Sequence, residues 1–202
     1  MIRMISQPIV NMRKKQVVRE EWLCRPTSMS IAEFFAVSDP VALWERESLC
    51  IQETIQINSA KPKSINLTLS SLPYFLQTNL HWNGGIELVE WGHPVLENYP
   101  LQEYVQQLLQ RGLEVWVDDL TIDQWGIWKA LPVTGYKIAR LQDHQDPRFI
   151  YEVIHTGKPI VLEWIETEEE EKVALDLGIQ YGQGHMYMNQ LGYPIQRNSK
   201  TG

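Results

Sequence analysis

The sequence predicts an α/β fold: one closed (β/α)8 barrel of the TIM type, entered through an antiparallel hairpin. Two observations carry this. From residue 64 onward, strand-like segments alternate with helical ones, the pattern of parallel βαβ units, and they number about eight in the whole chain, enough to close a barrel. Before that, residues 7–10 and 16–23 read as two strands joined by the polar turn 11–15, a connection too short for a parallel crossover. An open doubly wound sheet is the alternative, weakened because no Gly-x-Gly-x-x-Gly follows a first strand. The expected division of the 202 residues is one barrel domain over 1–195 and a frayed tail over 196–202, a length suited to one sizeable core.

In order, Ser30 is placed to cap a short helix over 31–35, and 41–55 can form a second helix closed by Lys61-Pro62-Lys63. Residues 64–70 alternate apolar and polar, a strand with Asn66 on its polar face; a short apolar piece, 72–80, and the turn Asn83-Gly84-Gly85 lead to a strand over 85–91. Pro100 opens a helix with Leu101, Tyr104, Val105, Leu108 and Leu109 on one face, and Gly112 ends it. The next strand, 113–120, ends in Asp118-Asp119. A helical piece around 124–131 precedes a strand over 135–140 that carries Lys137. Asp146 and Pro147 start a helix that Gly157 and Pro159 stop. The strand 159–165 follows, with Glu163 on it and Glu166 just after. Thr167 and Glu170 form a capping box for a helix reaching Leu177-Gly178, so the run Glu168–Glu171 reads as solvent-facing carboxylates at a helix N-terminus. A last strand is expected over 180–187.

The bulk numbers narrow the function classes. A formal net charge of -7 argues against a nucleic-acid polymer as the main partner, yet leaves room for a small phosphorylated ligand held by a metal or local cations. No run nears the roughly 18 apolar residues that would span a membrane, and the first residues lack a signal-peptide core, so a cytoplasmic protein without a membrane partner is expected. Two cysteines, Cys24 and Cys50, allow neither a disulfide framework nor a cysteine-based zinc site. The five histidines lack metal-ligand spacing and read as surface or packing residues.

Candidate chemistry comes from what sits on or just past the strands: Glu21, Asn66, Glu87, Asp118, Asp119, Lys137, Glu166 and Gln183. Each has a bland reading alone, Asp118-Asp119 as a turn or cap, Glu21 and Arg25 as an exposed strand face. In a barrel, however, strand C-termini converge on one mouth. Five carboxylates there could not all ionise without cations, and an all-oxygen donor set suits one or two Mg²⁺ or Mn²⁺ ions better than zinc or copper.

These segments, in this order and over nearly the whole chain, resemble the EAL-domain family of cyclic di-GMP phosphodiesterases. Gln7-Pro8-Ile9-Val10 and Glu20-Glu21-Trp22-Leu23-Cys24-Arg25 are similar to the opening strand and naming motif, with Glu21-Trp22-Leu23 standing where Glu-Ala-Leu normally does. Ile65-Asn66-Leu67-Thr68, Glu87-Leu88-Val89-Glu90, Val117-Asp118-Asp119, Tyr136-Lys137-Ile138, Glu163-Trp164-Ile165-Glu166-Thr167 and Tyr181-Gly182-Gln183-Gly184 resemble the later motifs.

The resemblance implies a barrel whose first strand is the antiparallel one, and metal-dependent hydrolysis of cyclic di-GMP to linear pGpG. Glu21, Asn66, Glu87 and Asp118 would hold one Mg²⁺ or Mn²⁺, and Asp118, Asp119 and Glu166 a second. Lys137, Glu166 and Glu21 would act in catalysis, with Lys137 orienting or helping deprotonate the water. Leu23, Arg25 and Gln183 would bind substrate, Arg25 as a phosphate fork, and Glu90 would support the loop after Asp119.

The departures are local. Leu120-Thr121-Ile122-Asp123-Gln124-Trp125 replaces Phe-Gly-Thr-Gly-Tyr, a loop tied in the family to metal binding and dimer contacts. Trp164 replaces a glycine, and the connections over 27–62 and 72–85 look shortened. Such shortening resembles stand-alone members that bind cyclic di-GMP or a partner protein, such as a transcription regulator, without hydrolysis. That regulator is the alternative function; the resemblance also allows a homodimer, with the oligomeric state left open.

Overall fold

A computed structural model describes residues 1–89, 99–141 and 146–194. Glu90, the whole of the expected tail over 196–202 and the end of the 85–91 strand lie outside the described residues. The order is β1 (Ile2–Asn11), β2 (Gln16–Pro26), α1 (Ile31–Phe35), α2 (Pro40–Gln56), β3 (Lys63–Thr68), α3 (Leu72–Gln77), β4 (Gly85–Val89), α4 (Leu101–Gln110), β5 (Glu114–Val117), α5 (Ile122–Trp128), β6 (Gly135–Ile138), α6 (Pro147–Ile154), β7 (Ile160–Leu162), α7 (Glu168–Asp176), β8 (Tyr181–Gly182) and α8 (His185–Leu191).

The strands close into a barrel in sequence order. β1 is antiparallel to both its neighbours, β2 and β8, and every other pairing is parallel. The hairpin turn is short because Asn11 caps it, accepting from the Lys14 amide at 3.0 Å, and Lys15 takes a left-handed φ of 51°. A register shift between Ile9 and Val10 separates the long outer part of the hairpin from the part that joins β8.

The helices bury their apolar stripes against the barrel. Val105 and Leu108 of α4 and Phe149 and Val153 of α6 pack with Leu67, Leu88, Val117 and Ile138 of the strands. A second cluster, Ile9, Trp116 and Val161 with Val18 and Tyr181, comes only from strands and fills the barrel interior. Arg19 lies 5.3 Å from the Trp116 ring centre and pairs with Glu114. Room for Trp116 exists because position 135 is glycine: a Cβ there would stand 2.5 Å from the indole and 2.6 Å from the Pro159 carbonyl.

Three expectations change. The 180–187 segment is a strand only at Tyr181–Gly182; Gly184 breaks it and His185–Leu191 is helical. The helix expected around 124–131 starts at Ile122, because Thr121 and Gln124 form a capping box. Within the acidic run Glu171 is buried rather than solvent-facing, and it pairs with Lys15 of the hairpin turn.

Candidate carboxylate–lysine site at the barrel mouth

Lys137, near the C-terminal end of β6, is the centre of the site and almost fully buried. A buried ammonium is tolerable only when paired and hydrogen-bonded. Four carboxylates meet it: Glu87 at 2.6 Å, Asp118 at 2.8 Å, Glu163 at 2.9 Å and Glu21 at 3.1 Å. Glu21 and Glu87 lie on β2 and β4, and Asp118 and Glu163 directly follow β5 and β7, so only barrel closure brings them to Lys137 on β6.

Two of these acids are delivered by the same local device. After β5, the Asp118 amide continues the ladder to the Leu88 carbonyl at 3.0 Å; Asp119 turns the chain with φ 44°; and buried Leu120 anchors it by donating to the Lys137 carbonyl at 3.0 Å. After β7, the Glu163 amide donates to the Ile138 carbonyl at 2.9 Å, Trp164 turns with φ 58°, and buried Ile165 donates to the Gln183 carbonyl at 3.0 Å. Acid, left-handed residue, buried anchor is the shared pattern. Asp tolerates the left-handed region better than most residues, which is how the first turn manages without glycine.

Gln183 donates its Nε2 to Glu21 at 2.5 Å and to Gln7 at 2.9 Å, and Ser64 donates its hydroxyl to Glu87. The Asn66 side chain hydrogen-bonds Glu21. The electrostatics follow from burial. It would lower the Lys137 pKa, but Asp118, Glu163, Glu21 and Glu87 outweigh it and hold the ammonium well above its ordinary value. Burial pushes Glu87 up to about 7, with Glu21 adding, and Asp118 up to about 6 against the pull of Lys137. It also raises Glu163 well above the carboxylate range. For Glu21, burial acts upward but Lys137 and the bonds from Gln183 and Asn66 win, and its pKa is lowered.

A cavity of about 260 Å³ opens onto this cluster. Glu21, Asp118, Asp119 and Glu163 line it, together with Leu23 and Arg25 from β2 and Trp164, Gln183 and His185 from the β7 and β8 ends. Glu87 and Lys137 lie beneath it. Asn66 instead borders a smaller hollow of about 70 Å³ shared with Cys24, Cys50 and Glu47.

Of the residues expected in the site, Glu166 does not join the cluster. It is exposed and pairs with Arg140 at 3.1 Å and His185 at 3.7 Å, its amide tied to Glu170 at the start of α7. Glu163 occupies the place expected of it. The signal was present in the sequence, because Glu163 follows an apolar β run directly, as Asp118 does. Gln7 and Ser64 were also missed; Gln7 sits opposite Glu21 in the hairpin register, and Ser64 pairs with it across β2–β3. His185, expected to be surface or packing, lines the cavity.

Among the described residues, no three His, Cys, Asp or Glu side chains are gathered as a metal site; the inner carboxylates turn to Lys137 instead. The donor chemistry nevertheless fits a hard cation. Four carboxylates against one ammonium leave a formal charge of -3 when all are ionised. Buried Asn66 Oδ1 and Gln183 Oε1 have no hydrogen-bond partner.

No protein-family model and no curated protein matches the chain. Solved structures do. The PaMucR phosphodiesterase in complex with c-di-GMP is 19% identical, with 94% of this chain and 99% of that one covered at a TM-score of 0.71. The FimX EAL domain from Pseudomonas aeruginosa bound to c-di-GMP is 18% identical, covering 92% and 88% at 0.71. Klebsiella pneumoniae BlrP1, a manganese/cy-diGMP complex, is 21% identical, covering 92% of this chain and 55% of that one at 0.68. The chain has the fold of EAL domains. Among the described residues, no helix is long and apolar enough to cross a membrane.

Proposed function

We propose that this chain is an EAL-type protein that binds cyclic di-GMP and hydrolyses one of its phosphodiester bonds to give linear pGpG. The observation that carries the reading is the carboxylate–lysine cluster under a cavity at the strand ends of this particular barrel, with Arg25 and Gln183 on its walls.

Glu21, Asn66, Glu87 and Asp118 would hold one Mg²⁺ or Mn²⁺, and Asp118, Asp119 and Glu163 a second, with Glu163 taking the part first given to Glu166. Bound there, a divalent cation supplies Lewis-acid activation of water and of the phosphate. Lys137, whose ammonium form the surrounding acids favour, would hold the inner oxygens of the acids and orient the attacking water. Burial raises the pKa values of Asp118 and Glu163, and the cation they would hold offsets that by favouring their ionised forms. Arg25 offers a guanidinium to phosphate, and Leu23 packs the wall beside it. Gln183 keeps Glu21 in place.

A second reading, a regulator that binds cyclic di-GMP or a partner protein without turnover, is favoured by one observation: the inner acids are already engaged by Lys137. Incubating purified protein with cyclic di-GMP and Mn²⁺ or Mg²⁺, followed by chromatography for pGpG, separates the two. Product is expected. Binding without product at high protein concentration selects the regulator.

A further inference from the structure

We propose that Trp164 is the platform on which a purine base of the ligand stacks at the mouth of the carboxylate cavity. The inference rests on the nucleotide reading above and names how the base, rather than the phosphate, is held.

Trp164 is placed where stability alone gives no reason for a tryptophan. Its φ of 58° lies in the left-handed region, where a bulky side chain is strained, and such strain collects at functional sites. No core burial offsets it: Trp164 is 46% exposed, and among the described residues it is the one exposed tryptophan.

Its surroundings fit a stacking surface. The residue lines both the carboxylate cavity and a neighbouring apolar hollow of about 300 Å³ that Arg140 also lines. Arg140 lies 5.5 Å from the ring centre, and Glu166 holds that guanidinium at 3.1 Å. The indole is therefore backed by a fixed cation, which leaves its surface toward the cavity for a flat partner. This also gives Glu166 a place in the site: it positions Arg140, which positions the ring. A base is neutral and π-rich, so it can lie against indole next to an acidic floor. Because Trp164 follows Glu163 directly, a stacked base would set its phosphodiester beside the acid cluster.

Binding of a hydrolysis-resistant phosphorothioate analogue of cyclic di-GMP is measured by equilibrium dialysis in Mg²⁺, so that turnover does not deplete the ligand, for the unsubstituted protein and for W164F, W164L and W164G. W164F is expected to bind within about threefold of the unsubstituted protein. W164L and W164G are expected to lose roughly 5- to 150-fold, the range for one base–aromatic stack. W164G should melt at or above the unsubstituted protein, because glycine relieves the left-handed strain, so weak binding cannot be ascribed to unfolding. Tight binding by W164L, or equal loss in W164F, overturns the stacking alone. No binding by the unsubstituted protein overturns the nucleotide reading and the platform with it.

Discussion

Four carboxylates face one another around Lys137, so the consequence of removing its ammonium is calculable. Lys137→Met leaves buried acids without a counter-charge, a change that in comparable settings costs about 3–5 kcal/mol. Urea denaturation should show that loss, and Glu163→Gln in the same background should return part of it by removing one repelling charge. An unchanged midpoint in Lys137→Met would mean that the acids do not depend on this lysine. Asp118 makes the complementary case. It follows β5 and is anchored through its backbone to Leu88, so Asp118→Ala should abolish pGpG formation while circular dichroism stays as before. Global unfolding of that variant would assign the aspartate a structural role instead.

Elements, rather than single contacts, decide the behaviour of Glu47 and Gly135. Glu47 is buried on α2, and it ties that helix to the end of β3 by accepting from the Thr68 amide at 3.2 Å. Burial pushes its pKa up to about 7 from an ordinary 4.5. The folded state therefore holds this proton more tightly than the unfolded chain does. Its contribution to stability is greatest below pH 4.5 and is lost as pH rises toward 7, by on the order of 3 kcal/mol at most. Glu47→Gln should flatten that part of the stability–pH curve; equal slopes with and without the substitution would rule the effect out. On β6, Gly135→Ala would drive a methyl into Trp116 and the Pro159 carbonyl. Overpacking of this kind costs about 1–3 kcal/mol. For a chain of this size that lowers Tm by roughly 2–10 °C, readable by calorimetry.

The whole barrel is unevenly sealed. β3 and β4 share five paired positions, whereas β8 joins β1 at two, Val10 with Gly182 and Asn11 with Tyr181. Local opening starts where few ladder bonds hold the backbone. Native-state hydrogen exchange should therefore find the β1–β8 seam opening well before β3–β4, the Gly182 amide exchanging faster than that of Leu88. Equal protection at both would show that the barrel opens as one unit. The acids are spread around this ring, so opening the seam also separates Gln183 from Glu21.

Much of this was legible locally. Asp146-Pro147, the Thr167–Glu170 box and Gly112 mark helix ends because capping depends on a few neighbouring residues. The hairpin followed from a turn too short to cross over, and Glu21, Asp118, Lys137 and Gln183 were visible as polar residues at strand ends. The extent of the C-terminal strand was not, because residues 180–187 mix polar residues, glycines and aromatics without a period that shows where Gly184 ends the strand. What only the tertiary structure decided is which acids face inward. Glu163 and Glu166 are three residues apart, and sequence spacing treats both as strand-end acids. The left-handed turn at Trp164 is what sends Glu163 to Lys137 and leaves Glu166 outside with Arg140. A buried charge finds its partners across closed strands, and that closure is a property of the whole ring.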